Sequence, residues 1–129
     1  MDIKNVKVIW ITGNSGAGKT ELARMLLKLN PNSIWLDGDM VRRVWPELTL
    51  SKQDRIDNNL RVARLCLELV DQGFMVVVST ICPYIALRNK IRKMLPHKVM
   101  FVYLSGGKKP SRLYPYEPKS IIRKGENTK

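Results

Sequence analysis

The sequence contains little cysteine and no long hydrophobic run, and both absences narrow the class of protein. Among its 129 residues are two cysteines and one histidine. Cys66 and Cys82 lack the spacing of metal ligands, so both thiols are expected to be free. No run approaches the roughly 20 apolar residues of a membrane span, and the N-terminus has no signal-peptide pattern. We therefore expect one domain over residues 1–129, located in the reducing cytoplasm and not in a membrane.

Acidic residues are missing from a long part of the chain, between Asp71 and Glu117, although the formal net charge is +12. Such a basic region attracts polyanions, so it either draws in a phosphorylated substrate or binds nucleic acid. A solvated helix face followed by a basic tail is the third interpretation. Because no aromatic-rich nucleic-acid motif is present, a small-molecule partner is favoured over nucleic acid. The basic residues of this region are Arg88, Lys90, Arg92, Lys93, Lys98, Lys108, Lys109 and Arg112.

The most informative feature present is a glycine-rich segment, residues 13–20, which reads G-N-S-G-A-G-K-T. It lies between a strand-like run and a helix-like run, the setting in which such a loop binds phosphate. Glycine lets backbone N–H groups point at one anion, and the helix N-terminus adds partial positive charge. Lys19 is predicted to reach the β- and γ-phosphates of ATP, and Thr20 to ligate Mg²⁺; a purely structural glycine turn is the alternative. The predicted nucleotide-binding residues are Gly13, Asn14, Ser15, Gly16, Ala17, Gly18, Lys19 and Thr20.

Strand-like and helix-like segments alternate along the chain, which predicts an α/β fold with a parallel sheet. Together with the phosphate loop, this indicates the three-layer P-loop NTPase fold, with a sheet of four to five strands flanked by helices. Strands are predicted at residues 6–12, 33–36, 74–79, 99–104 and, weakly, 120–123. Helices are predicted at residues 19–29 and 40–45, between caps at Ser51 and Gly73, and from Pro83 to Met94. Residues 105–114 are predicted to be a flexible basic loop and residues 124–129 a flexible tail.

Two carboxylates, Asp37 and Asp39, follow the second predicted strand. Ligands of parallel α/β sheets bind at the carboxyl ends of the strands, so these carboxylates should lie close to the phosphate loop. There they suit metal-water contacts or proton acceptance from a hydroxyl nucleophile; an ordinary Asp-Gly turn is the alternative. The third predicted strand ends in Ser79 instead of an aspartate, and Ser79 is predicted to hold a Mg²⁺-bound water. The acidic groups must then come from Asp37 and Asp39, which favours a small-molecule kinase.

Basic and amide side chains near the same edge predict the binding of a charged acceptor. Arg42 comes three residues after Asp39, and Arg55 and Asn58 lie at the start of the long predicted helix. An arginine fork matches the geometry of phosphate or sulfate. A surface ion pair is the alternative for either arginine.

Several separate segments make the chain resemble the adenylylsulfate (APS) kinase family. Besides the phosphate loop, residues 36–42, L-D-G-D-M-V-R, resemble the family's L-D-G-D-N-I-R. Residues 54–63, D-R-I-D-N-N-L-R-V-A, resemble D-R-x-E-N-I-R-R-V-A. Residues 79–84, S-T-I-C-P-Y, resemble S-x-I-S-P-Y, and residues 115–118 read P-Y-E-P, as near the end of the family's sequences. The likeness is collinear over residues 6–118.

This resemblance implies transfer of the γ-phosphoryl group of ATP to the 3′-hydroxyl of adenosine 5′-phosphosulfate, with Mg²⁺, as in sulfate assimilation. It implies catalytic roles for Asp39 as the base, Lys19 and Asp37. The implied metal-site residues are Thr20, Asp37 and Ser79. The implied acceptor-binding residues are Arg42, Arg55, Asn58, Ile81, Pro83 and Tyr84.

The chain departs from the family pattern at four places. Met40 replaces an asparagine, Cys82 replaces a serine, and Leu50 stands where an aromatic residue stacks on the acceptor's adenine. Residues 105–114 replace a lid of about two dozen residues, whose role is to exclude water from phosphoryl transfer. Two alternatives to APS kinase activity therefore stay open: a kinase for another small-molecule hydroxyl, and a nucleotide-binding module without catalysis. A homodimer, in which a partner subunit covers the site, is a further hypothesis.

Overall fold

The computed structural model describes residues 6–14, 16–47, 49, 51–96 and 98–106. Strands and helices alternate through these residues, as the sequence predicts. The elements in chain order are β1 (Val8–Gly13), α1 (Lys19–Leu29), β2 (Ser33–Asp37), α2 (Gly38–Val44), α3 (Lys52–Asp71), β3 (Met75–Ser79), α4 (Ile85–Met94) and β4 (Val99–Leu104). The predicted strand at residues 120–123 and the tail at residues 124–129 lie outside the described residues.

The four described strands form one parallel sheet in the order β2-β3-β1-β4. The two central strands are continuous apolar runs, because a parallel strand covered on both faces has no side exposed to water. In β3, Val76, Val77 and Val78 are all fully buried. All carboxyl ends point the same way, so the segments that follow the four strands meet along one edge. This confirms the predicted α/β fold.

Alternating side chains of the sheet build two separate cores, one on each face. Ile9, Ile11 and Val77 point toward α1 and pack with its Ala23. Val8, Trp10, Val76 and Val78 point to the opposite face, where they pack with α2, α3 and α4. The protein therefore has three layers, with helices on both sides of the sheet. The residues that α2, α3 and α4 contribute to this second core include Val41, Val62, Ala63, Cys66, Leu87 and Ile91.

The starts of two helices differ from the sequence predictions by two residues, each for a local reason. α4 begins at Ile85 instead of Pro83, because Tyr84 keeps an extended backbone with φ −91° and ψ 125°. α2 begins at Gly38, directly after β2, so residues 37–39 form a strand-to-helix junction and not an isolated turn. The predicted end of α3 at Gly73 is confirmed, because the helix ends at Asp71 and Gly73 follows with a φ of +95°, the left-handed conformation of a glycine just beyond a helix C-terminus.

The predicted start of α3 is confirmed. The hydroxyl of Ser51 accepts a hydrogen bond of 3.1 Å from the backbone N–H of Asp54, which satisfies one of the free donors of the first helical turn. The carboxylate of Asp54 turns the other way and accepts hydrogen bonds of 2.7 Å from both the backbone N–H and the hydroxyl of Thr49. Together these bonds fix the entry of the chain into α3.

Both cysteines are free, as predicted, and the structure shows that both are buried. Burial raises the pKa of Cys66 and of Cys82 to about 12, so both remain protonated thiols at neutral pH. In the part of the chain that the structure describes, no helix combines the length and the apolar content that crossing a membrane requires.

Candidate active site

The phosphate loop connects β1 to α1 and passes very close to the backbone of β4. A Cβ atom at Gly13 would lie 2.5 Å from the carbonyl oxygen of Leu104, so no larger residue fits there without a shift of the backbone. At the other end of the loop, Gly18 has a φ of +103°, which L-residues with a side chain rarely adopt. The backbone N–H of Ala17 donates to the carbonyl of Asn14 at 3.1 Å and closes the turn between them. Ser15 lies outside the described residues.

Lys19, the first residue of α1, folds back over this loop. Its Nζ donates hydrogen bonds of 2.9 Å to the carbonyl oxygens of Gly13 and Asn14. Burial lowers the pKa of Lys19, while the negative charges of Asp37 and Asp39 act in the opposite direction. The ammonium group and both carboxylates are therefore within electrostatic reach of one another. The two aspartates thus act electrostatically on the lysine of the phosphate loop, and their direct role at that loop stays a prediction.

The ends of β2 and β3 are joined by their side chains. Asp37 and Ser79 are register partners in the sheet, and the hydroxyl of Ser79 donates to Oδ1 of Asp37 at 2.9 Å. The same hydroxyl accepts a hydrogen bond of 2.8 Å from the indole Nε1 of Trp35. Asp37 is thus held in one orientation at the sheet edge.

Asp39 lies in the first turn of α2 and forms an ion pair with Arg42, one helical turn later. The side chain of Asp39 is 71% exposed and that of Arg42 is 30% exposed. The ion pair proposed as the alternative for Arg42 is therefore present. Its partner is a site carboxylate, so it orients Asp39 at the open side of the sheet edge.

The first turns of α3 place two asparagines in the interior. Asn58 is 5% exposed, and its Oδ1 has no hydrogen-bond partner among the described residues. A buried acceptor atom left without a donor is costly, so a donor supplied by a ligand would stabilise this arrangement. Arg55, on the same face of the helix, is half-buried. Asn59 is 2% exposed and uses its amide to bind other parts of the protein.

The segment after β3, residues 80–84, is tied to its neighbours through its backbone. The N–H of Thr80 donates to the carbonyl of Ile11 at 3.1 Å, and that of Cys82 donates to the hydroxyl of Thr12 at 2.9 Å. The fully buried Arg88 of α4 donates from Nη1 to the carbonyl of Cys82 at 2.8 Å. These bonds fix the segment against the end of β1, immediately before the phosphate loop.

Of the predicted acceptor-binding residues in this segment, Pro83 and Tyr84 are buried and Ile81 is half-buried. Tyr84 lies under a lysine of α3, with Nζ of Lys52 at 4.9 Å from the ring centre. The segment therefore faces the start of α3, where Arg55 and Asn58 lie. The structure brings the two predicted groups of acceptor residues into the same region.

Several polar residues that sequence patterns did not single out support these groups. Trp35 holds Ser79, and Thr80 and Asn59 bind each other through a hydrogen bond of 2.7 Å. The sequence did contain one indication of such a supporting residue, because Asn59 is a polar residue within the apolar face of the long predicted helix. Other predictions lie outside the described residues: those for Leu50, Lys108, Lys109 and Arg112, for residues 115–118, and for most of the segment 105–114.

The oxygen atoms that the predicted metal-site residues carry would suit Mg²⁺ better than a softer metal. Thr20 and Ser79 supply hydroxyls and Asp37 a carboxylate, and Mg²⁺ prefers oxygen ligands while keeping several waters or phosphate oxygens. No cluster of three or more histidine, cysteine or acidic residues that could bind a metal exists among the described residues. A Mg²⁺ ion bound at this edge would share these side chains with the phosphates of a nucleotide.

A parallel sheet between two layers of helices, with a phosphate loop between the first strand and the first helix, defines the P-loop NTPase fold. More narrowly, the chain belongs to the adenylylsulphate kinase family, whose sequence profile matches residues 5–127.

Two relatives and one solved structure show how similar this chain is to known proteins. An adenylyl-sulfate kinase of Clostridium kluyveri is 34% identical over 129 residues, covering 96% of this chain and 64% of the relative. A cytidine diphosphoramidate kinase of Campylobacter jejuni is 40% identical over 95 residues, covering 70% of this chain and 56% of the relative. The Mycobacterium tuberculosis APS kinase in complex with AMPPNP and APS is 31% identical with a TM-score of 0.66, covering 77% of this chain and 62% of that chain. This chain thus spans less than two thirds of the length of each.

Proposed function

We propose that this protein is an adenylylsulfate kinase, which transfers the γ-phosphoryl group of ATP to the 3′-hydroxyl of adenosine 5′-phosphosulfate. The observation that best supports this proposal is the sheet edge at which Asp37, held by Ser79, and Asp39 follow β2 while Lys19 lies over the phosphate loop after β1. Phosphoryl transfer needs a cation at the phosphates and a carboxylate at the attacking hydroxyl, and this edge offers both. Family membership supports the identity of the two substrates.

On the ATP side, the backbone N–H groups of residues 13–20 would bind the phosphates. Lys19 would release the carbonyl oxygens of Gly13 and Asn14 and turn to the β- and γ-phosphates. Mg²⁺ supplies charge neutralisation between these phosphates when it is bound, and Thr20, Asp37 and Ser79 are the proposed residues around it. The bond from Ser79 to Asp37 supports this assignment because it fixes a carboxylate at that position.

On the acceptor side, Asp39 would accept the proton of the attacking hydroxyl as the new O–P bond forms and ADP leaves. Its exposure leaves it open to the acceptor, and Arg42 holds it in place. Arg55 would pair with the acceptor's anionic groups, and Asn58 would accept a hydrogen bond from it. Ile81, Pro83 and Tyr84 would form the wall against which the acceptor lies.

The setting of this activity follows from the same proposal. We place the protein in the cytoplasm, in sulfate assimilation, as one P-loop kinase domain over residues 1–129 in which residues 105–114 form the shortened lid. The two buried free thiols are consistent with a reducing compartment. A homodimer, in which a partner subunit shields the site, would compensate for the short lid.

The test is a two-substrate assay with purified protein, ATP, Mg²⁺ and APS, in which the phosphorylated product is identified. We expect Mg²⁺-dependent formation of ADP that requires APS. Asp39→Asn should lower kcat by roughly 100-fold or more while ADP still binds, because general-base catalysis contributes about 10²–10⁴-fold. Asp71→Asn, at the end of α3, is the matched control and should behave like wild type. ATP hydrolysis that is independent of APS would contradict the proposal.

One relative favours a second candidate acceptor. The cytidine diphosphoramidate kinase of Campylobacter jejuni matches this chain at 40% identity over 95 residues. The alternative function is therefore phosphorylation of cytidine diphosphoramidate, or a similar nucleotide with a modified phosphate end, by the same site. Comparing kcat/KM for the two acceptors, with all other conditions equal, separates the two functions.

A further inference from the structure

A chain of buried hydrogen bonds crosses the interior next to the proposed acceptor-binding residues. The indole Nε1 of Trp10 donates to the hydroxyl of Thr80 at 2.8 Å, and this hydroxyl donates to Oδ1 of Asn59 at 2.7 Å. The amide Nδ2 of Asn59 donates to the carbonyl of Ile81 at 3.2 Å and to that of Arg55 at 3.0 Å. This hydrogen-bond network thus links β1, the segment after β3, and α3.

Every side-chain N–H and O–H group in this hydrogen-bond network has an acceptor, which fixes the donor and the acceptor of each bond. The Thr80 hydroxyl donates once and accepts once, and both amide hydrogens of Asn59 are used. Trp10, Thr80 and Asn59 are all at least 96% buried. A fully satisfied buried network of this kind stabilises one geometry against alternatives, because any displaced member leaves an unpaired polar group.

The hydrogen-bond network ends at the carbonyls of Ile81 and Arg55, two residues that the proposed function uses. Ile81 belongs to the proposed acceptor wall, and Arg55 is a proposed acceptor ligand one helical turn before Asn59. Thr80 also lies against the start of α2: a Cβ atom at Gly38 would be 3.3 Å from its methyl carbon. Thr80 is therefore in contact with the segments that bear the acceptor wall, the acceptor-binding helix and the two aspartates.

We propose that Asn59 and Thr80 are positioning residues of the acceptor site, which hold the carbonyl of Ile81 and the first turns of α3 at a fixed separation. This inference rests on the proposed function, because it assigns these residues to the acceptor and not to ATP. The hydrogen bonds of both side chains go to Trp10, Arg55, Ile81 and each other, so the binding of ATP at the phosphate loop should not depend on them. The family motif D-R-x-E-N-I-R-R-V-A has isoleucine where this chain has Asn59, so the bond to Ile81 is a feature of this sequence.

The test compares Thr80→Val with Thr80→Ser. Valine keeps the methyl group that contacts Gly38 but removes the hydroxyl, whereas serine keeps the hydroxyl. We expect Thr80→Val to raise KM for APS roughly tenfold, while kcat and the dissociation constant of ADP stay within about a factor of two. Thr80→Ser should restore KM to near the wild-type value. Ser33→Ala, which removes a hydroxyl at the opposite end of the sheet, is the control.

Asn59→Ile provides a second, independent variant, since the family motif has an apolar residue there. It should raise KM for APS to a similar extent, and the double variant Asn59→Ile with Thr80→Val should be less impaired than the product of the two single effects. Equal losses of APS and ADP binding, an unchanged KM in both single variants, or no rescue by serine would overturn the proposal.

Hydrogen exchange without ligand separates this inference from the proposed function. The backbone N–H of Cys82 should exchange roughly tenfold faster in Thr80→Val than in wild type or Thr80→Ser. If wild-type protein does not phosphorylate APS, the proposed function fails, and the exchange result alone decides whether the chain of bonds holds residues 80–84. Unchanged exchange in Thr80→Val would overturn the positioning role.

Discussion

The hydroxyl of Ser79 donates a hydrogen bond of 2.9 Å to the carboxylate of Asp37, across the ends of two neighbouring strands. β3 lacks the terminal aspartate that many P-loop proteins use near the metal. Here the serine of β3 instead holds the aspartate of β2, and Trp35 holds the serine. The carboxylate proposed to face the metal thus comes from one strand, and the hydroxyl that orients it comes from the next.

Removing the hydrogen bond between Ser79 and Asp37 should lower the apparent affinity of the enzyme for Mg²⁺. In Ser79→Ala, Asp37 loses its donor and the indole of Trp35 loses its acceptor, so the carboxylate should rotate away from its present position. We expect the Mg²⁺ concentration needed for half-maximal activity to rise about tenfold in a steady-state titration. Ser33→Ala should leave the titration unchanged. An unaltered Mg²⁺ curve in Ser79→Ala would exclude a role for this bond.

Replacing Lys19 by methionine should selectively weaken nucleotide binding. The change removes a partly buried charge that sits over the phosphate loop. Charge-assisted hydrogen bonds contribute about 1.5–3 kcal/mol, so the affinity for ADP-Mg²⁺ should fall by roughly 10- to 100-fold. Isothermal titration calorimetry measures this directly. Lys28→Met, on the exposed last turn of the same helix, should bind ADP normally; equal affinities in the two variants would contradict the account.

Two glycine-to-alanine substitutions should separate steric clash from backbone strain. Alanine at Gly13 would place its Cβ 2.5 Å from a backbone oxygen of β4, whereas Gly73 has a positive φ of +95° but open space around it. Gly73→Ala should cost about 1–2 kcal/mol from the left-handed backbone alone. Gly13→Ala should lower the free energy of unfolding further and also impair ADP binding. Urea denaturation tests the order, which is wrong if Gly73→Ala is the less stable variant.

The stabilisation that Asp54 gives to the start of α3 through its bonds to Thr49 should be lost in acid. The hydroxyl and then the N–H of Thr49 hold the pKa of Asp54 below its ordinary value of 3.8. Because the folded state favours the charged form, the stabilisation is complete above this value and is lost as the pH falls through the lower folded pKa. The difference in Tm between wild type and Asp54→Asn should therefore be constant near neutral pH and shrink below about pH 4. Thr49→Val should show a smaller loss of the same sign. A difference that persists unchanged in acid would contradict the role of this bond.

The elements of the fold were predictable because each depends on local patterns. Continuous apolar runs predicted the strands, and Ser51 predicted the start of α3, since its hydroxyl accepts a hydrogen bond from the backbone N–H three residues later. The convergence of Asp37 with the phosphate loop followed from the single rule that parallel strands end at one edge. The start of α4 was wrong by two residues, because backbone bonds to Thr12 and Arg88 keep the preceding segment extended.

The supporting contacts of the site were not predictable from the sequence. The bond between Thr80 and Asn59 joins residues 21 positions apart, and the bond between Asp37 and Ser79 requires β2 to lie beside β3, an order that local patterns do not determine. The sequence predicted both Asp39 and Arg42 at the site, with a surface ion pair as the alternative for Arg42, but it did not identify Asp39 as the partner in that pair. The proposed roles of these residues stay predictions.

The most direct test of the central claim is a radiolabel transfer assay with γ-labelled ATP and two acceptors, APS and cytidine diphosphoramidate, offered separately to the wild-type protein. The account predicts that label appears at the 3′-position of APS, with a kcat/KM for APS above that for the cytidine nucleotide and with loss of transfer in Asp39→Asn. Transfer to the cytidine nucleotide alone, or release of labelled phosphate without transfer to either acceptor, would contradict it.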